Sequence, residues 1–179
     1  LSAKVTAEAR ADATGIEADT VSGTILNSGL IDVAANSPNE GQAAGISARA
    51  GRATAKVINS GTINVVGDYR GNVRHFVSGI GFGAFDGTLD NSGTIRAISK
   101  RAATDSQVFG IGLFGLGAGG TLTHSGTIEA ISAGGTNSVV YGIRAGDLSG
   151  QMNITGDITA KGAETNYALF LGTGSGQLN

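Results

Sequence analysis

Few side chains in this sequence could carry out catalytic or metal chemistry, and their spacing argues against both. The chain has 2 histidines and no cysteine in 179 residues. His75 is predicted to lie in a loop and His124 at a corner, and neither has partners at the spacing of metal ligands. Ser125 follows His124, but serine occupies the same place in repeats that lack histidine, so a nucleophile and base pair has little support. We therefore predict no metal site and no cofactor.

A glycine-rich motif and a row of charged residues complete the candidate chemistry. Residues 110–115 read Gly-Ile-Gly-Leu-Phe-Gly and match the dinucleotide-binding pattern G-x-G-x-x-G. That site needs a helix after the turn, whereas here the glycines alternate with apolar residues of a strand. Arg96 and Glu129 are expected to form an exposed pair across two strands. No pair of carboxylates suited to glycosidic cleavage is visible. We predict that the chain is not an enzyme, and a polysaccharide-degrading enzyme remains the third alternative.

The elements that must position these residues are set by a repeat. Residues 91–99 read Asn-Ser-Gly-Thr-Ile-Arg-Ala-Ile-Ser, and variants of this phrase recur every 30 to 33 residues. Each variant carries one aliphatic anchor, and the anchors are Leu1, Ile31, Ile63, Ile95, Ile128 and Ile158. A period of this length is typical of solenoids rather than of conventional globular domains.

Each period contains three short segments in which apolar residues alternate with other residues, a pattern that predicts β-strands. Strands too short to bury a face alone become stable when successive coils stack into parallel sheets around one interior. The anchors then form a core column, Ile31, Ile63, Ile95, Ile128 and Ile158. A corner of the coil is predicted to hold a hydrogen-bonded ladder, Asn27, Asn59, Asn91 and His124.

Several apolar side chains fall on outward parity, where solvent is expected. A row that includes Ala34 is either covered by the variable loops or contacts a partner, because monomers rarely leave such patches bare. The candidate contact residues are Val66, Ile98, Ile131, Phe114 and Phe170. Phe109, Tyr141 and Tyr167 are predicted by the same parity to point inward and to stack in the core rather than form a platform for sugars.

The phrase Gly-Ile-x-Ala, followed by an apolar residue and Asn-Ser-Gly-Thr-Ile-x-Ala, resembles the degenerate repeats of bacterial autotransporter passenger domains and related large secreted adhesins. The resemblance covers nearly the whole chain. It implies a right-handed β-helix that is exported to the outer surface of a Gram-negative bacterium. We therefore predict an all-β chain that forms a right-handed parallel β-helix of about six coils of roughly 32 residues, with three short strands per coil. Residues 1–179 are predicted to form a single β-solenoid.

The composition argues against nucleic acid as a partner and against a transmembrane segment in this chain. A net charge of −2 gives no basic footprint for nucleic acid, and no apolar run is long enough for a transmembrane segment. We expect a non-enzymatic structural or adhesion module, on the cell surface or secreted, that displays variable loops to host or bacterial surface ligands. Neither end has the polar coil expected of a cap, so a segment of a longer array and a filament subunit that stacks end to end are both open. The expected neighbours are β-helix coils of the same or of identical chains.

Overall fold

The computed structural model describes residues 1–7, 10–70, 74–101 and 104–179, which form 18 strands in three parallel sheets of six. Sheet A contains β1 (Ser2–Thr6), β4 (Leu30–Ser37), β7 (Thr62–Tyr69), β10 (Thr94–Ser99), β13 (Thr127–Ser132) and β16 (Asp157–Lys161). Sheet B contains β2 (Arg10–Val21), β5 (Glu40–Gly51), β8 (His75–Phe85), β11 (Gln107–Leu116), β14 (Val139–Leu148) and β17 (Thr165–Thr173). Sheet C contains β3 (Thr24–Asn27), β6 (Lys56–Asn59), β9 (Thr88–Asn91), β12 (Thr121–His124), β15 (Gln151–Ile154) and β18 (Gln177–Leu178).

Every strand pairs with the equivalent strand of the next coil, as in a solenoid. Strand β10, for example, lies between β7 and β13, and both pairs are parallel. The prediction of an all-β parallel β-helix with three strands per coil is confirmed. The described residues contain no helix that is long and apolar enough to cross a bilayer.

The interior is built from columns of apolar side chains, one per coil. The register pairs Ile31 with Ile63, Ile63 with Ile95, Ile95 with Ile128 and Ile128 with Ile158. The first four are at most 3% exposed, and Ile158, in the last coil, is partly buried against the same core. Coils about 4.8 Å apart place these side chains in direct contact, so each coil covers the apolar surface of the next.

In sheet B, the alternation of inward and outward side chains shifts at a bend. A β-carbon at Gly110 would collide with the interior side chain of Ile128, so this position faces inward, and the following Ile111 is also fully buried. Because two consecutive positions face inward, residues before Gly110 lie on the opposite face from the one that a strict alternation counted back from Ile111 would give. Phe109 therefore lies on the outer face, where a β-carbon at Gly112 would be 3.3 Å from its ring.

Two predictions about side chains in this region are wrong. Phe109, Tyr141 and Tyr167 do not point into the core, because the bend between Gly110 and Ile111 interrupts the period of two on which the prediction relied. His75 does not lie in a loop either. It begins β8, pairs with Gly41 of β5 and is completely buried, with its ring centroid 4.8 Å from that of Tyr69.

Candidate functional site

The corner residues form a continuous hydrogen-bonded ladder. The Nδ2 of Asn27 donates to Oδ1 of Asn59 at 2.7 Å, and the Nδ2 of Asn59 donates to Oδ1 of Asn91 at 2.6 Å. The Nδ2 of Asn91 lies 3.0 Å from Nδ1 of His124. All four side chains are buried, with exposures of 7% or less. The ladder thus satisfies polar groups that would otherwise be costly inside the solenoid.

The hydrogen bonds of His124 define its role. Nδ1 lies 3.0 Å from the amide nitrogen of Asn91, which only donates, and 3.3 Å from the carbonyl oxygen of the same residue, which only accepts. We assign Nδ1 as the acceptor from the shorter contact, so the ring proton is placed on Nε2, which lies 3.3 Å from the carbonyl oxygen of Asp157. Both ring nitrogens are therefore occupied by neighbours in the ladder. In the described part of the chain, no three His, Cys, Asp or Glu side chains come close enough to hold a metal ion.

The candidate contact residues are divided between two faces of the solenoid. Val66, Ile98 and Ile131 are consecutive in the register of sheet A, and each is only partly exposed. Beside them, Nε of Arg96 lies 3.0 Å from Oε2 of Glu129 in an exposed ion pair. Phe114 and Phe170 lie in sheet B instead. Phe114 is 48% exposed, so sheet B presents the more accessible apolar surface.

Four rings on the outer face of sheet B form what we call the aromatic ladder: Phe76, Phe109, Tyr141 and Tyr167. Phe109 and Tyr141 stack with centroids 5.1 Å apart and ring planes at 9°, and Tyr141 and Tyr167 stack at 5.5 Å and 12°. Phe76 lies 5.1 Å from Phe109. Burial raises the pKa of the Tyr141 hydroxyl, and the nearby Tyr167 adds to this effect while Arg144 opposes it. Coil stacking places Phe109, Tyr141 and Tyr167 in one file along the axis. Phe76 belongs to the neighbouring position of Gln42 and Gln107 and contacts Phe109 at a tilt of 39°.

Arg144 lies among the rings at the edge of the aromatic ladder. Its guanidinium carbon is 4.6 Å from the centroid of Phe114, 5.9 Å from that of Tyr141 and 6.0 Å from that of Phe170. Its Nη1 is buried and has no hydrogen-bond partner within the described residues. Cation–π attraction is therefore the main contact that places this side chain against Phe114.

Next to Phe114, the outer face of sheet B contains a groove with a volume of about 460 Å³. Its walls include two aromatic side chains, Phe76 and Phe114, and its polar lining residues are Arg10, Glu40, Gln42, Arg74 and Gln107. These residues come from four successive coils, because Gln42, Phe76 and Gln107 occupy the same position in β5, β8 and β11, and Arg10 pairs with Glu40 across β2 and β5. The volume falls within the range of small-molecule sites.

The charges in this groove are only partly paired. Nε of Arg10 donates to Oδ2 of Asp12 at 2.7 Å, and Nη1 of Arg10 lies 3.5 Å from Oε1 of Glu40. The hydrogen bond and charge of Asp12 raise the pKa of the Arg10 guanidinium, with a smaller contribution from Glu40. Arg74 has no salt bridge with any residue that the structure describes. Arg74 is therefore a cation of the groove without a direct acidic partner in the described part of the chain, whereas Arg10 is shared by two carboxylates.

Asp12 and Glu40 are two carboxylates that sequence reasoning did not bring together. The signal was present in the repeat: a step of 30 residues places Arg10 opposite Glu40 and Asp12 opposite Gln42. Their arrangement does not suit glycosidic cleavage, because the guanidinium of Arg10 contacts both carboxylates, Asp12 at 2.7 Å and Glu40 at 3.5 Å, so neither faces the other as a free acid and base pair. The arrangement suits recognition of a polar ligand better than bond breaking.

Comparison of the chain with models of protein families, with curated proteins and with solved structures finds no match. The geometry of the groove and the repeat pattern therefore carry the functional argument.

Proposed function

We propose that this chain is a non-enzymatic adhesion module of an extracellular bacterial β-solenoid and that the outer face of sheet B is its contact surface. The observation that carries the proposal is the groove, which combines an exposed aromatic wall with an unpaired arginine. Aromatic side chains, including phenylalanine, and arginine are enriched at protein interfaces relative to the rest of the surface. Display at the surface of a Gram-negative bacterium is part of the proposal and is supported by the resemblance of the repeats to autotransporter passenger domains.

The scaffold supports binding because the groove is built on strands rather than on loops. Strands β5, β8 and β11 are each hydrogen-bonded on both sides. Their inward side chains, such as Ile46, Ile80 and Ile111, are completely buried. Side chains held by a rigid sheet need little ordering when a ligand binds, which reduces the entropic cost of association.

An adhesion assay tests the proposal. Beads coated with the chain should retain cultured epithelial cells or intact Gram-negative cells, and the double variant Phe76→Ala/Phe114→Ala should lose most of this binding. Ile98→Ala, on the outer face of sheet A, is the matched control and should bind as the unaltered chain does. The proposal would be contradicted if the beads retained neither cell type, or if the double variant and Ile98→Ala lost the same fraction of binding.

The same preparation distinguishes adhesion from catalysis. We expect no new reducing ends when the chain is incubated with acidic or neutral polysaccharides. Release of reducing ends that disappears in Glu40→Gln would instead support a polysaccharide-degrading enzyme.

A second candidate is a filament subunit, and the positions of exposed apolar side chains favour it. Phe114 is the exception among the large exposed hydrophobic residues of the described chain. The others lie in the first two coils or the last one: Leu1, Leu26, Leu30, Tyr167 and Leu178. A further coil, from the same chain or from a second copy, would cover them. Light scattering at increasing protein concentration separates the two functions, because a filament subunit should grow in mass whereas a discrete monomer argues against polymerisation.

A further inference from the structure

We infer that the groove on sheet B binds a carboxylated oligosaccharide, an inference that rests on the proposed adhesion function and names the ligand class. Three features carry it: the aromatic wall, the unpaired side-chain amides and the charge of Arg74. Each matches a different part of an acidic sugar.

The aromatic wall matches the faces of pyranose rings. A sugar ring presents C–H groups on its faces and hydroxyl groups around its edge, so an exposed aromatic ring can cover a face without displacing hydroxyl groups from water or from polar partners. Phe114 is 48% exposed and lines the groove together with Phe76. Arg144 lies 4.6 Å from the centroid of Phe114 and is not part of the groove lining, so it orients the ring without occupying the groove. Arg144 is thus a positioning residue.

The side-chain amides match the hydroxyl groups. Gln42 and Gln107 line the groove, and neither side chain has a hydrogen-bond partner within the described residues. An amide both donates and accepts, as a hydroxyl does. The two glutamines lie two coils apart in the register through Phe76. They can therefore bind different sugar units of one chain.

Arg74 matches the carboxylate. Arg10, the other arginine of the groove, is already engaged by Asp12 and Glu40, whereas Arg74 has no acidic partner in the described part of the chain. A guanidinium binds a carboxylate through two parallel hydrogen bonds, which gives direction as well as affinity. A ligand with an isolated negative charge completes the groove, whereas a neutral ligand leaves Arg74 unpaired.

The shape of the groove favours an oligosaccharide over a peptide. Its lining spans four coils, or three spacings of about 4.8 Å, which gives about 14 Å along the axis. A peptide usually binds a sheet by adding a strand at a free edge, but β5, β8 and β11 already pair on both sides. The groove offers side chains rather than free backbone groups.

Titration calorimetry on the full chain tests the inference with trigalacturonate and 3′-sialyllactose as probes. We expect at least one of them to bind. Its neutral counterpart, carboxyl-reduced trigalacturonate or lactose, should bind with an affinity at least about tenfold lower. Arg74→Gln should weaken the acidic probe by about tenfold and leave the neutral one unchanged. Phe114→Ala should weaken both probes, because it removes a contact with the sugar face.

Two matched controls lie outside the groove. Arg49, on sheet B, is paired with Asp19 at 3.4 Å, so Arg49→Gln should bind as the unaltered chain does. Leu26→Ala removes an exposed apolar side chain of sheet C, and it should also leave binding unchanged. Circular dichroism of each variant verifies that the fold is intact.

Three results would overturn the inference: no binding of either acidic probe, equal binding of triglutamate, or Arg74→Gln and Arg49→Gln with equal effects. The proposed adhesion function is tested separately. If cells are retained through Phe76 and Phe114 but no acidic probe binds, the ligand class is wrong and adhesion stands. If no cells are retained, the adhesion function itself fails.

Discussion

The core column, which lies in sheet A, and the outer face of sheet B vary differently along the axis. At the core column, one coil after another presents isoleucine from Ile31 to Ile158. On the outer face of β2, β5, β8, β11, β14 and β17, one register position reads Thr14, Ala44, Ser78, Phe109, Tyr141 and Tyr167.

The difference in variability follows from the space that is available to the side chains on each side of the sheet. An inward side chain must fill the space between two neighbouring coils, so a change in one coil leaves a cavity or a collision in the next. An outward side chain is not confined between interior columns, so it is freer to change from coil to coil, even where neighbours on the same face bury it, as they bury Ser78 and Phe109. In these two columns, repetition accompanies stacking in the core, and variation accompanies the outer face on which we propose binding. Three substitutions test this distinction.

The largest expected effect is that of Ile95→Ala in the core column. Ile95 is completely buried, and its truncation leaves a cavity between two coils. We expect the free energy of unfolding to fall by about 2–5 kcal/mol. Urea unfolding followed by circular dichroism measures the loss. Phe114→Ala removes a larger side chain that is 48% exposed, and it should cost less than about 1 kcal/mol. Similar losses in the two variants would contradict the distinction.

A comparable effect is expected for Asn91→Ala in the corner ladder. The substitution removes the acceptor of the Asn59 amide and the donor to Nδ1 of His124. Each of these two buried groups left without its partner costs about 1–3 kcal/mol, so we expect a loss of about 2–6 kcal/mol in the same unfolding experiment. Asn64→Ala is the control, because the Asn64 amide donates to Asp32 at 2.7 Å on the half-buried outer row. An Asn64→Ala loss as large as that of Asn91→Ala would show that burial of the ladder does not matter.

The smallest effect, with the opposite sign, is expected for Tyr69→Phe. Tyr69 belongs to the core but does not repeat, since Ser37 precedes it in the register. Its hydroxyl is buried and has no hydrogen-bond partner among the described residues. Removing an unsatisfied hydroxyl should stabilise the chain by about 1 kcal/mol at neutral pH. A loss of stability on substitution would show that the hydroxyl has a stabilising partner, such as a buried water.

The same variant should change the response to alkali. Burial raises the pKa of the Tyr69 hydroxyl above its ordinary value, and the charge of Asp12 adds to the shift while Arg10 opposes it. As the pH passes about 10, the unfolded chain releases this proton before the folded chain does. The unfolded state then binds fewer protons, so the free energy of unfolding falls as the pH rises. Unfolding measured between pH 8 and 11 should show a smaller fall in Tyr69→Phe. If the free energy of unfolding fell equally in Tyr69→Phe and in the unaltered chain, the loss of stability in alkali would come from titratable groups other than Tyr69.

The regular part of the molecule was predictable from the sequence because stacking forces similar residues into equivalent positions. The anchors and the asparagines of the corner repeat at one spacing, so a linear comparison of the coils places Asn59 and Asn91 together. The same comparison predicts three strands per coil, and the three sheets confirm this count.

The groove was not predictable in the same way, for two physical reasons. Its residues differ in every coil, so no repeat identifies Arg10, Phe76 and Arg74 as one site. The parity of the neighbouring Phe109, Tyr141 and Tyr167 was also misread, because a period of two assumes a straight strand and β11 bends between Gly110 and Ile111. Phe114, which lines the groove, was correctly predicted to face outward. A glycine followed by a buried isoleucine at equivalent positions in several coils is the signal that could have located the bend.

The corner ladder has one further consequence, because its amides all point the same way. Each nitrogen donates toward the next coil, from Asn27 through Asn59 and Asn91 to the ring of His124. The side-chain dipoles therefore add head to tail, and neighbouring bonds polarise and strengthen one another. Rotating one amide by half a turn would set donor against donor on one side and acceptor against acceptor on the other. The orientation of every amide in the file is thus coupled, and imidazole ends it as an acceptor that needs no further amide.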